Sequence, residues 1–254
     1  MTSDLLSIPS GLRRSYGVYP LIVAGAWIAL IVWQRSLHAG LLGHEQLGHA
    51  QVSAHHSTPL AIQASAFLVG WVLMTVAMML PASLPLLVGG AQRLRASGLA
   101  VAGYLLPWAA FGLLAFLGDS YLHQIAGHGG PLEGYAGLIA PAVVLAAGLY
   151  QFTPQKRRSL ERCTAAQAAH IATHSEAHSE GGIKHGLRQG IYCVGSCWAM
   201  MLLMFALGHN RLDWMLALTV FFVLERTTRW GSRLGGLAGL ALIAWAVVLA
   251  ASTL

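Results

Sequence analysis

The chain has 254 residues, 56% of them hydrophobic and only 9% charged, against about 25% charged in soluble domains. So few charges cannot solvate the surface of a water-soluble domain of this length, so the composition excludes one and specifies an all-α polytopic membrane bundle. The formal net charge of +6 would suit nucleic acid, but the placement of the basic residues excludes that partner.

Seven apolar stretches are expected to cross the membrane: about 18–34, 60–89, 98–117, 135–151, 190–208, 213–224 and 234–250. Arg13 and Arg14 precede the first, as in a signal peptide. That stretch holds Trp27 and Trp33 and lacks a small-x-small cleavage site, so it reads as a retained helix.

The segment that follows, 35–59, carries five histidines: His38, His44, His49, His55 and His56. Neutral imidazoles this close together are ligands for copper, zinc or nickel, and His44, His49, His55 and His56 are candidates. A single loop histidine is more often polar filler. Gly43 to His49 imitates a zinc-peptidase motif, but that motif needs histidines four apart on one helix face. His44 and His49 are five apart, about 140° round a helix, which excludes a peptidase.

In the second stretch Trp71, Met74 and Met78 share a face, with Met79 beside them and Pro81 and Pro85 following. The prolines are expected to kink or end the helix, and such breaks serve either packing or ligand binding. The segment 152–189 holds Cys163, His170, His174 and His178. If helical, these share a face about 80° wide. They would then form either an inner metal-transfer site or one side of a solvated amphipathic linker.

The chain is organised around the fifth stretch, GIYCVGSCWAMMLLMFALG, residues 190–208, which no charge interrupts. At about 100° per residue, Cys193, Cys197, Met200 and Met204 form a stripe roughly 60° wide and about 16 Å long. Four sulfurs on one face suit a soft ion such as Cu(I). Cysteine and methionine are also ordinary packing residues, and the spacing leaves both readings open. Around the last stretch, Gly231, Gly235, Gly236 and Gly239 read as close helix packing.

With a cytoplasmic N-terminus, the inner segments hold thirteen Lys and Arg residues and the outer ones two, Arg35 and Arg211. This places the C-terminus outside, supports an odd span count and assigns the positive charge to topology and membrane lipid. The whole chain, 1–254, reads as a single transmembrane domain in a plasma membrane of the bacterial inner-membrane type. Away from their ends the spans hold no acidic or basic residue, so the usual proton-coupling groups are missing. No nucleotide, flavin or haem site is evident, no catalytic residue is identified, and nothing fixes an enzymatic role.

Four stretches together resemble a known family. They are Trp71 to Ala82 (WVLMTVAMMLPA), Leu149 to Lys156 (LYQFTPQK), Gly190 to Met201 (GIYCVGSCWAMM) and Phe222 to Arg226 (FVLER). The family is that of predicted metal-binding integral membrane proteins of unassigned biochemical function, some linked to copper delivery to tyrosinase-type enzymes. Members often have adjacent cysteines before the tryptophan, where this chain has Ser196-Cys197, and a cysteine pair near Ser159 and Cys163. The resemblance implies a membrane protein that binds or delivers Cu(I) to a copper-enzyme client. The implied ligands are Cys193, Cys197, Met200, Met204, Met74, Met78 and Met79. The competing expectation is a non-catalytic structural or assembly subunit of a larger membrane complex.

Overall fold

The computed structural model describes residues 10–35, 60–83, 94–126, 136–173, 182–206, 212–228 and 230–253. The described elements are α-helical, with no strand among the described residues. They are α1 (Ser10–Arg35), α2 (Leu60–Met78), α3 (Leu94–Ala126), α4 (Ala136–Tyr150), α5 (Pro154–Thr173), α6 (Gly182–Ala206), α7 (Leu212–Thr227) and α8 (Gly231–Thr253), with a short helical stretch at 80–83.

Among the described residues, α2, α3 and α8 are long and apolar enough to cross a membrane, and the pair α4–α5, bent by 61°, is a fourth candidate. In α1 the apolar part, Tyr19–Val32, is shorter. The outward faces fit lipid: Leu114, Leu237 and Val248 are each about two-thirds exposed. A surface of this kind is stable only where the solvent is hydrocarbon. The histidines of 35–59, His44, His49, His55 and His56 included, lie outside the described residues.

Proline shapes the end of α2 as the sequence predicts. Pro81 has no N–H to give the Ala77 carbonyl one turn back. That acceptor is met from α1, where Trp27 Nε1 donates to Ala77 O at 3.1 Å. The break after Met78 therefore costs no buried carbonyl, and residues 80–83 turn Ser83 into the bundle, where it is buried.

A second local device separates α4 from α5. Thr153 caps α5, its Oγ1 accepting from the Lys156 amide at 3.3 Å, and Pro154 takes the first helical position, where no amide is needed. The 61° bend throws the first turns of α5 back against α6 and α7. Lys156, Leu160 and Cys163 are consequently buried, so as far as Cys163 this face of α5 is packed against the bundle rather than solvated.

The most extensive helix pairing is α3 with α6, and glycine makes it possible. A Cβ on Gly186 would overlap the Ala100 carbonyl oxygen, one on Gly103 the Ile183 carbonyl oxygen, and one on Gly190 would stand 2.5 Å from Tyr104 O. Gly186 and Gly190, four apart, put a smooth stripe against α3, the small-xxx-small mode of association that suits helices in lipid. Across the bundle α4 and α8 meet at Gly148 and Gly239, as the glycine pattern predicts.

The contact at Gly186 can be tested directly. Gly186→Ala places a methyl against backbone that cannot rotate away and should destabilise by about 1–3 kcal/mol. Gly118→Ala, where a Cβ meets nothing within 4 Å, should leave thermal unfolding in detergent unchanged or slightly raised. Equal melting of the two variants would show that α3 and α6 do not approach through Gly186.

Candidate metal site

Three helices converge on Cys193 and Cys197, both free and fully buried. One turn apart on α6, the two thiols share a face and share one donor. Arg226 Nη2, from the end of α7, lies 2.8 Å from Cys193 Sγ and 3.2 Å from Cys197 Sγ. The other arm of the guanidinium, Nη1, donates to Ser83 Oγ at 3.0 Å. Ser83 in turn donates to the Tyr104 hydroxyl on α3 at 3.2 Å, and that hydroxyl is 2.9 Å from Cys193 Sγ. Ser196 Oγ lies 3.3 Å from Cys197 Sγ and donates to the Cys193 carbonyl at 2.9 Å. The result is a closed polar ring inside an apolar bundle, built from α3, α6, α7 and residues 80–83.

Arg226 is only 6% exposed. A guanidinium out of water demands a counter-charge, and its closest contact is the Cys193 sulfur, with Ser83 Oγ and the Cys197 sulfur next. Among the described residues its Nε meets no hydrogen-bond partner. An arginine held on two thiols suits sulfur that carries negative charge, the form in which cysteine ligates metals.

A second buried charge pair adjoins the ring. Lys156 Nζ, from the first turn of α5, is 2.6 Å from Glu225 Oε1, both side chains being almost fully buried. Lys156 Nζ also donates to Gln151 Oε1 and lies 6.0 Å from the Phe221 ring centroid. Gly235 on α8 leaves the space for the pair, since a Cβ there would meet Glu225 Oε1 at 2.8 Å. Glu225 Oε2 and Gln151 Nε2 have no hydrogen-bond partner among the described residues.

The methionines extend the sulfur face. Met74, Met78, Met79, Met200 and Met204 are all buried in the same core cluster as the two cysteines. α2 runs antiparallel to α3, with Trp71 Nε1 donating to Trp108 O at 2.8 Å and Ser83 reaching Tyr104. α3 runs parallel to α6, with Tyr104 at Cys193 and Phe111 at Trp198, ring centroids 6.3 Å apart. Met78 and Met74 therefore follow Met79 away from the polar ring in the same direction that Met200 and Met204 follow Cys197. The Met79 carbonyl is 3.5 Å from the Tyr104 hydroxyl, at the ring itself.

Among the described residues no group of three or more His, Cys, Asp or Glu side chains gathers to hold a metal. Cys163 is buried and accepts from Gln189 Nε2 at 3.5 Å, within electrostatic reach of Arg226. The side chains of His170, His174 and His178 lie outside the described residues, as do the four outer histidines proposed as ligands. Two thiols with thioethers beyond them are a donor set of the kind soft ions prefer.

Sequence reading missed Arg226, Glu225 and Lys156 as parts of the site, because it assigned the Arg and the Lys to the inner-facing basic set. A signal was present. Two of the stretches that carry the family resemblance end on these residues, at Lys156 and at Glu225-Arg226.

Comparison with known proteins identifies the family. Residues 68–249 match PpoB2, described as a copper chaperone, and the chain belongs to that family. No curated protein and no solved structure matches the chain. The matched region contains the whole polar ring and the Lys156–Glu225 pair.

The ion pair makes a stability prediction. Glu225→Gln leaves Lys156 buried without a counter-charge and should destabilise by about 3–5 kcal/mol, whereas Lys156→Met combined with Glu225→Leu should recover most of that loss. Denaturant unfolding in matched micelles measures both. A Glu225→Gln variant as stable as the parent would show that the pair is not buried as described.

Proposed function

We propose that the chain takes up Cu(I) on Cys193 and Cys197 within the membrane and hands it on for assembly of a copper enzyme. Membership of a copper chaperone family supports a copper-related role. The observation that carries the finer reading is the Cys193–Arg226–Cys197 contact at 2.8 and 3.2 Å. Thiols used only for packing have no need of a buried cation, and a guanidinium in the core is a costly companion for them.

In this reading the chain is one seven-span domain in a plasma membrane, with the N-terminus in the cytoplasm and the C-terminus outside. The inner-facing excess of Lys and Arg supports that orientation. The polar ring then lies toward the cytoplasmic side, and the thioethers of Met200, Met204, Met78 and Met74 run from it toward the outer face. The outer histidines, His44, His49, His55 and His56, collect the ion and the thioethers relay it to the cysteines. Release to a client proceeds by ligand exchange, an incoming donor replacing one thiolate at a time, with Arg226 holding the site's charge meanwhile.

Two experiments test this. Cys197→Ser exchanges a thiolate for a hydroxyl, a poor partner for a soft ion, and should weaken Cu(I) binding at least tenfold, about 1.4 kcal/mol. Met215→Leu, eleven residues and about 16 Å along α7 from Arg226, should leave it unchanged. Competition with a Cu(I) chelator on detergent-purified protein decides, and equal affinities would remove Cys197 from the ligand set. For the topology, reporter fusions after Arg95 and after Gly130 should report opposite sides of the membrane; the same side for both would overturn it.

A further inference from the structure

We propose that Arg226 sets the valence of the ion accepted by Cys193 and Cys197, admitting soft monovalent ions and turning away soft divalent ones. This rests on the reading of the two cysteines as the ligand pair, and adds to it a residue that determines specificity.

A fixed charge in a buried site selects ions by their valence, and Cys193, Cys197 and Arg226 are all buried. The guanidinium is faced from α6 by Cys193, Cys197 and Ser196, the last at 3.5 Å. From residues 80–83 it is faced by Ser83, and Tyr104 on α3 and Cys163 on α5 lie within electrostatic reach. Its neighbour in sequence, Glu225, is the one nearby carboxylate among these groups, and it is engaged by Lys156 at 2.6 Å. Lys156 and Glu225 cancel each other. Among the described residues, Arg226 is therefore the fixed charge that stands directly on the sulfurs.

Ligating cysteines are thiolates, so a loaded pair contributes two negative charges. With Arg226 in place the site is one charge short of neutral, and a monovalent ion supplies it. A divalent ion would leave one positive charge in excess inside an apolar bundle, where an uncompensated charge is strongly disfavoured. It would also press a doubly charged centre against a guanidinium held by Ser83. The ring offers no further carboxylate, and no third Cys, His, Asp or Glu joins the pair among the described residues. The hydrogen bonds to Ser83 and the two sulfurs place the charge, so its position is a property of the fold.

The test uses the full chain in detergent micelles, with Ag(I) as the monovalent probe and Cd(II) as the divalent one. Bound metal is counted after equilibrium dialysis, and the thiolate-to-cadmium band is followed in the ultraviolet. The parent should take up one Ag(I) in a manner lost with Cys197→Ser, and should show no Cys197-dependent cadmium band at equimolar Cd(II). Arg226→Gln should lower the ratio of Ag(I) to Cd(II) affinity at least tenfold, and Arg226→Lys, which keeps the charge, should hold the ratio near the parent's. A Cys197-dependent cadmium band in the parent at equimolar Cd(II) would overturn the proposal even if Arg226→Gln does not fold. An unchanged ratio in a folded Arg226→Gln variant would overturn it equally. Absence of any Cys197-dependent Ag(I) binding in the parent would instead overturn the ligand assignment on which it stands.

Discussion

A guanidinium buried against two sulfur atoms is the constraint to which the rest of this structure answers. Placing Arg226 in the bundle sets a desolvation cost of several kcal/mol against contacts with Cys193, Cys197 and Ser83. Each of those partners has to be delivered by a different local device. The prolyl break after α2 brings Ser83 inward, and Trp27 from α1 satisfies the carbonyl that the break releases. The helical repeat of α6 stacks the two thiols. The apolar run of α7 ends on Glu225 and Arg226, so the last turn carries charge inward.

The ring is held shut by close packing. Tyr104 reaches Cys193 because α3 and α6 approach through Gly103, Gly186 and Gly190. Larger residues there would move the hydroxyl away from the sulfur. Beyond the ring α2, α3 and α6 are joined by aromatic contacts, with Trp71, Trp108, Phe111 and Trp198 touching in succession at centroid distances of 5.8 to 6.4 Å. Tyr150 joins from α4, its hydroxyl donating to the Gly195 carbonyl at 2.6 Å. The polar site therefore sits between a glycine-lined approach on one side and an aromatic layer on the other. Rigid walls of this kind keep the donors aimed at one place.

The neighbouring Lys156–Glu225 pair has a complementary role. It removes the Glu225 carboxylate as a competitor for Arg226, which leaves the guanidinium directed at sulfur. It also ties the bend between α4 and α5 to the end of α7, and Gly235 on α8 makes room for it.

The sequence by itself determined the class of molecule and the sulfur face. Composition required a membrane bundle of helices, because so few charges cannot cover a water-exposed surface. Helical periodicity placed Cys193, Cys197, Met200 and Met204 on one side of α6, since side-chain direction along a helix is fixed by its repeat. Pro81 announced the break that ends α2. Only the tertiary structure decided what meets the cysteines. Arg226, Lys156 and Glu225 are charged residues at helix ends, and a count along the chain takes Arg226 and Lys156 for members of the basic set between spans. Their burial follows from a 61° bend and from glycine contacts between helices far apart in sequence. Such pairings depend on the relative placement of helices, which no periodicity within one helix encodes.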